Sequence, residues 1–205
     1  NARSNTSNPD MTAPIMGTIA DPPTCIGVVL AGGLSTRMGC DKALLDWHGR
    51  PLIEHQLDTL RASGVGEVRV SGHRPDYCGI ADVRPQLGPV GGLAGIAEAV
   101  TADGERRLVP GDMPLLTATL LCRLRIERPH ARSLRYTGRV LPLRLRLDDE
   151  CRVLIATLLH KREPHDRSLR ALQQAADCEE LVLGPDEAVQ LVDCNTETMW
   201  NEVRR

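Results

Sequence analysis

Phenylalanine is missing from this 205-residue sequence, and aromatic residues make up only 2% of it. The core must therefore be built from Leu, Val, Ile and Ala, and the stacking platforms of a single-strand nucleic-acid binder are lacking. There is no strong charge of either sign. A formal net charge of -2 and an isoelectric point near 6.3 exclude a wholesale polyanion-binding surface and leave room only for a local one, so no nucleic-acid partner is expected. No apolar run approaches the roughly 18 residues that a membrane-spanning helix needs, so no membrane partner is expected either. The seven cysteines, at 25, 40, 78, 122, 151, 178 and 194, form no C-x-x-C pair and have no nearby His pair of metal-binding form. They read as free thiols of a reducing compartment, which makes the expected location cytoplasmic.

What is present suits one substantial core, with 41% hydrophobic and 25% charged residues. Residues 1–23, rich in Asn, Ser, Thr and Pro and lacking a continuous apolar stretch, read as a flexible tail ahead of a single domain over 24–205. From Cys25 onward, apolar runs alternate with helical patterns. "CIGVVL", "EVRVS" and "RRLVP" read as strands. Leu52, Ile53, Leu57 and Leu60 mark one helix, Leu93, Ile96, Ala97 and Val100 a second after "GPVGG", and Leu120, Leu121 and Leu124 a third capped by Thr117. The alternation predicts an α/β fold, a mostly parallel sheet with helices on both faces. Beyond it, Leu141 to Leu147 reads as a half-buried strand whose Pro142 suggests an edge or a bulge. Helices are expected over Cys151 to His160 and Arg167 to Ala176. Strands are expected at "EELVLG" and "AVQLVD", and a last helix from Thr196.

The stretch "VVLAGGLSTRMGCDKALL" joins a buried strand to a glycine-rich turn. In an open parallel sheet, ligands sit beyond the carboxyl ends of the strands. Gly32 and Gly33 can bring bare backbone N–H groups against a phosphate chain, and Arg37 and Lys42 add a fork-shaped donor and a point charge. The Gly pair alone serves a tight turn equally well. The spacing fits neither the P-loop nor the dinucleotide fingerprint.

The loop resembles the signature L-A-[GA]-G-x-S-x-R-[MF]-G-x-[DP]-K of the molybdenum cofactor guanylyltransferases, a branch of the nucleotidyltransferases. "GPVGGLAGI" is similar to the family's guanine-side segment, "LVPGDMPLL" to its metal-binding segment, "RSLRAL" to a stretch R-x-L-x-x-L, and "DCNTETMW" to its closing Asn-Thr segment. The resemblance implies a single Rossmann-like domain of the nucleotide-diphospho-sugar transferase type. The implied activity is transfer of GMP from GTP to the terminal phosphate of molybdopterin carrying molybdenum, with Mg²⁺ as cofactor. It also implies company among other cofactor-biosynthesis or molybdoenzyme-maturation proteins.

On that resemblance the backbone of Leu30, Ala31, Gly32 and Gly33 holds the nucleotide, Arg37 and Lys42 the phosphates, and Asp112 the metal. An Asp in such a loop serves equally well as a helix or turn cap. Ser71 falls where relatives often place an Asn near the base, and it could equally just end its strand. Asn195 fits a position near metal and phosphates, or a helix cap before Thr196. Relatives carry an Asp before the Gly-Pro segment, and here Asp82 comes too early unless the loop is shortened, which leaves the base contact open. His48, His55 and His73 read as surface or packed residues. Between Arg123 and Arg146, eight Arg stand against one acidic residue, Glu127. That run reads as a solvated face, or as a basic rim for the anionic pterin phosphate. Two alternatives accompany the leading reading: a related enzyme using CTP or a sugar-phosphate acceptor, and a nucleotide-binding module without catalysis.

Overall fold

The apolar runs become a six-stranded sheet in the computed structural model, which describes residues 25–32, 41–83 and 87–204. The expected tail over 1–23 lies outside the described residues. In chain order the elements are β1 (Ile26–Leu30), the short pair β2 (Asp46–Trp47) and β3 (Arg50–Pro51), α1 (Leu52–Ala62), β4 (Glu67–Ser71), α2 (Gly88–Ala99), β5 (Gly104–Pro110) and α3 (Ala118–Ile126). They continue with β6 (Ser133–Tyr136), β7 (Leu143–Leu147), α4 (Asp149–Leu159), α5 (Leu169–Ala175), β8 (Glu179–Leu181), α6 (Pro185–Ala188) and α7 (Glu197–Val203).

The sheet order is β4-β1-β5-β7-β6-β8. Only β7 runs against the others. Period-two alternation splits β1 and β5 between two faces. Val29 and Val109 pack with Ile53, Leu60, Leu120 and Leu121 of α1 and α3. Ile26, Val28 and Leu108 pack with Leu93 and Ile96 of α2, Ile155 of α4 and Leu172 of α5. Polar caps set the helix starts: Thr117, Asp148, Ser168 and Thr196 each accept a hydrogen bond from a first-turn N–H.

Three expectations are corrected. Leu141 to Leu147 is neither an edge nor a bulge: β7 lies inside the sheet, and Pro142 sits just before the ladder, where its missing N–H costs nothing. "AVQLVD" forms the end of α6 and a 3₁₀ turn over Val189–Leu191, because Pro185 at the first helical position and Glu187, accepting from the Gly184 N–H at 2.8 Å, start a helix there. "GPVGG" lies within α2 rather than ahead of it, with Pro89 in its first turn. The strand β6, with only four residues, was not visible in the sequence pattern. No helix among the described residues is long and apolar enough to cross a membrane.

Candidate active site

At the carboxyl edge of the sheet the two strands beside β1 end level with it. Leu30 pairs with Ser71 of β4 and with Pro110 of β5, and the Ala31 N–H donates to the Ser71 carbonyl at 2.9 Å. Gly32 therefore leaves the sheet between the ends of β4 and β5. A Cβ on Gly72, which sits at φ +121°, would lie 2.7 Å from the Gly32 Cα, so the two chains approach this closely because residue 72 is glycine. Gly33 and Arg37 lie outside the described residues.

Past β5, Asp112 faces Lys42. Lys42 Nζ lies 3.1 Å from Asp112 Oδ2 and 2.5 Å from Asn195 Oδ1, so three segments far apart in sequence meet at one ammonium group. Several contacts hold this meeting in place. The Cys194 N–H donates to the Asp112 carbonyl at 2.9 Å, and the fully buried Gln56 donates from Nε2 to the Met113 carbonyl at 2.6 Å. Below them Trp47, Leu52, Cys194 and Trp200 form a small core, with the two indoles 5.7 Å apart. Asp193 joins from the same C-terminal segment. Burial pushes its carboxyl up, the Asp112 charge pushes it further, and Arg139 and Lys42 pull it back. Burial and the same two carboxylates push the Cys194 thiol up to about 11, which leaves it protonated and unreactive. Asn195 meets Lys42, while Thr196 serves as the cap of α7, accepting from the Met199 N–H at 3.2 Å.

Asp82, left open by the sequence, lies at the mouth between β1 and α2. A Cβ on Gly32 would lie 3.2 Å from its Oδ1, and one on Gly92 would lie 3.2 Å from the same atom and 2.1 Å from Ser71 Oγ. Ser71 and Asp82 thus share one small chamber that the glycines of "GPVGG" keep clear. Among the described residues Asp82 Oδ1, buried there, has no hydrogen-bond partner, and burial pushes the carboxyl up.

Arg74 went unread in the sequence. Its guanidinium donates to the Ala31 carbonyl from Nε and Nη2 at 3.1 and 2.9 Å, and to both carboxylate oxygens of Asp41, one of them at 2.8 Å. Asp41 in turn caps the turn that starts at Lys42, accepting from the Ala43 N–H at 3.1 Å. Arg74 therefore ties the end of β1 to the start of the lysine segment. The only hint was an Arg three residues past a strand that ends at the ligand edge. His48 stacks edge-on against Trp47, and burial pushes the His55 pKa down; neither is placed as a base.

The edge of this doubly wound sheet gathers a strand-end glycine, a lysine-carboxylate pair and a buried carboxylate, and the domain is that of a nucleotidyltransferase. Residues 27–177 match the MobA-like NTP transferase domain, and the chain belongs to that family. A relative from Xanthomonas euvesicatoria, described as a molybdenum cofactor guanylyltransferase, is 46% identical over 177 residues, covering 86% of this chain and 93% of its own. The fold is shared with a molybdopterin-guanine dinucleotide biosynthesis protein A from Archaeoglobus fulgidus, with a TM-score of 0.69 and 15% identity over 87% of this chain and 96% of that one. It is shared equally with a nucleotidyl transferase from Methanothermobacter, with a TM-score of 0.68 and 18% identity over 88% and 96%.

Proposed function

We propose that this chain transfers GMP from GTP to the terminal phosphate of molybdopterin carrying molybdenum, releasing pyrophosphate and forming molybdopterin guanine dinucleotide, in the cytoplasm. The relative from Xanthomonas supports the acceptor. The observation that carries the choice of base is Asp82. A carboxylate oxygen sealed from water without a donor is costly until a ligand supplies one. Guanine offers two adjacent donors on one edge, its ring N–H and its amino group, which a carboxylate accepts together. Cytosine offers a single amino donor flanked by an acceptor nitrogen, which would face the carboxylate with like charge.

In the reaction an oxygen of the acceptor phosphate attacks the α-phosphorus of GTP. The new O–P bond forms as the bond to the bridging oxygen breaks, and its electron pair leaves with pyrophosphate. The second pKa of a phosphate monoester is about 6, so the attacking oxygen is already deprotonated at neutral pH and no protein base is required. The chain's task is positioning and charge balance. The backbone of Leu30, Ala31 and Gly32, continuing to Gly33, carries the nucleotide, and Ser71 flanks the base beside Asp82. Lys42 and Arg37 meet the departing phosphates; the phosphate oxygens compete with Asp112 and Asn195 for the Lys42 ammonium.

The residues present fit a divalent cation, for which we propose Mg²⁺. The Asp112 charge raises the cost of ionising Asp193 nearby, and the Lys42 ammonium lies against Oδ2 of Asp112. Among the described residues no group of three or more His, Cys, Asp or Glu could form a cage of its own. One or two carboxylates completed by substrate phosphates is the usual arrangement for Mg²⁺. Bound there, the ion supplies further neutralisation of charge on the leaving pyrophosphate.

The test is competition between GTP and CTP for molybdopterin, with product dinucleotides and pyrophosphate measured. Guanine dinucleotide should dominate. A preference for CTP would overturn the base assignment, and release of pyrophosphate only with a sugar phosphate or alcohol would overturn the acceptor.

A further inference from the structure

The eight arginines between Arg123 and Arg146 look alike in sequence, but the fold gives them different fates. Arg123, Arg128, Arg132, Arg135 and Arg146 are each ion-paired with Asp or Glu. Arg125 donates to the Gly64 carbonyl, and the buried Arg144 donates to the carbonyls that follow α3, such as that of Glu127 at 2.9 Å. Arg139 differs. Among the described residues its guanidinium has no hydrogen-bonded or ion-paired partner, although it is only partly exposed.

Its backbone, by contrast, is pinned. The Arg139 N–H donates to the Tyr136 carbonyl and the Thr137 N–H to the Leu181 carbonyl, each at 2.9 Å. Arg135 donates to the Arg139 carbonyl at 2.9 Å and Gln173 to the Val140 carbonyl at 2.7 Å. Gly138, at φ +74°, makes the turn. A held backbone fixes the base of this side chain, and its planar cation, with no hydrogen-bonded partner among the described residues, suits an anion.

Topology decides where that site faces. Leu143 of β7 stands opposite both Leu108 of β5 and Arg135 of β6, so the β6–β7 turn leaves the sheet at the same edge as Asp112. In the order β4-β1-β5-β7-β6, the nucleotide loop after β1 lies to one side of β5 and Arg139 to the other, with Asp112 at the end of β5 between them. The Arg139 charge also reaches the Asp193 carboxyl beside Asp112. An in-line displacement needs its nucleophile and its leaving group on opposite sides of the α-phosphorus.

We propose that Arg139 is the acceptor-binding residue, gripping the terminal phosphate monoester on the side of Asp112 away from the nucleotide loop. This rests on the transferase reading above, and the test separates the two. In wild type, Arg139→Ala and Arg139→Lys, initial rates are measured with molybdopterin and GTP varied in turn. Binding of inorganic phosphate to enzyme saturated with a non-hydrolysable GTP analogue is followed by calorimetry. Arg139→Ala should raise the acceptor KM on the order of 10- to 100-fold, leave the GTP KM and the melting temperature unchanged, and weaken phosphate binding similarly. Arg139→Lys should recover part of both effects, because it keeps the charge but not the fork. A normal acceptor KM, or a GTP KM raised equally, overturns the proposal. If wild type makes no dinucleotide from molybdopterin, the functional reading fails alone, and phosphate binding decides Arg139: a loss in Arg139→Ala supports it and unchanged binding overturns it.

Discussion

Replacing Asp82 by Asn should move stability and activity in opposite directions. Asp82 Oδ1 is sealed and unpaired, and burial alone lifts the carboxyl above its ordinary 3.8. With the folded pKa above the unfolded one, this group favours the fold below about pH 4 and loses that contribution as pH rises through the folded value. At neutral pH the ionised carboxylate is therefore a cost, which a neutral amide removes. Ligand-free Asp82→Asn should melt higher than wild type at neutral pH, and the difference should vanish toward about pH 4. GTP meets the opposite change. A hydrogen bond to a charged group contributes about 1.5–3 kcal/mol and a neutral one about 0.5–1.5, so a loss of about 1–2 kcal/mol is expected, roughly five- to thirtyfold in kcat/KM. CTP should lose far less, and the GTP-to-CTP ratio should fall by a similar factor. The assays are melting curves across pH and competition between the two nucleotides. An unaltered ratio, or a variant that melts lower at neutral pH, would refute the reasoning.

Asp112→Asn should keep the fold, since the Cys194 N–H bonds the Asp112 main chain, and should lose divalent-cation-dependent turnover; an unchanged metal titration would remove Asp112 from the metal site. Lys42→Ala and Arg37→Ala should each slow turnover on the order of 10²-fold, as for one preorganised donor lost from a developing charge, with single-turnover rates as the check. Arg37→Lys should restore little, because the planar fork is gone. Arg74→Ala, which releases Ala31 from Asp41, should lower kcat/KM for GTP on the order of 10²-fold through misplacement of the loop ends; Asp41→Asn should do less, because the bonds from Arg74 to the Ala31 carbonyl survive. Equal kinetics for wild type and Arg74→Ala would reduce that clasp to a packing feature.

The first half of the fold was legible because local pattern and tertiary demand agree there. Apolar runs in β1 and at the end of β5 are buried, Pro51 precedes α1 and Thr117 caps α3, so period and end signals are enough there. Leu30, Ala31, Gly32, Lys42, Ser71 and Asp112 all come to the carboxyl edge because strand ends in a parallel sheet share one edge. Pro142 misled because a proline one residue ahead of a ladder reads the same as one inside it. The arginine run was illegible for a different reason. "LRLRL" alternates as if Arg144 and Arg146 both faced water, and Arg146 does, yet Arg144 is buried among the main-chain carbonyls at and after the end of α3. Whether an arginine is a solvated charge, a cap or a ligand depends on what lies opposite it, and partners far away in sequence decide that. The same holds for Asp82, whose unpaired oxygen exists only because β1, β4 and α2 converge around it, and for Asp193, Arg74 and Arg139. Sequence by itself determined most of the elements of the first half and singled out the glycine-rich motif after β1, since those follow from local propensity and spacing. Tertiary structure alone decided which charges were neutralised and which were left free, because electrostatic pairing is set by distance in space.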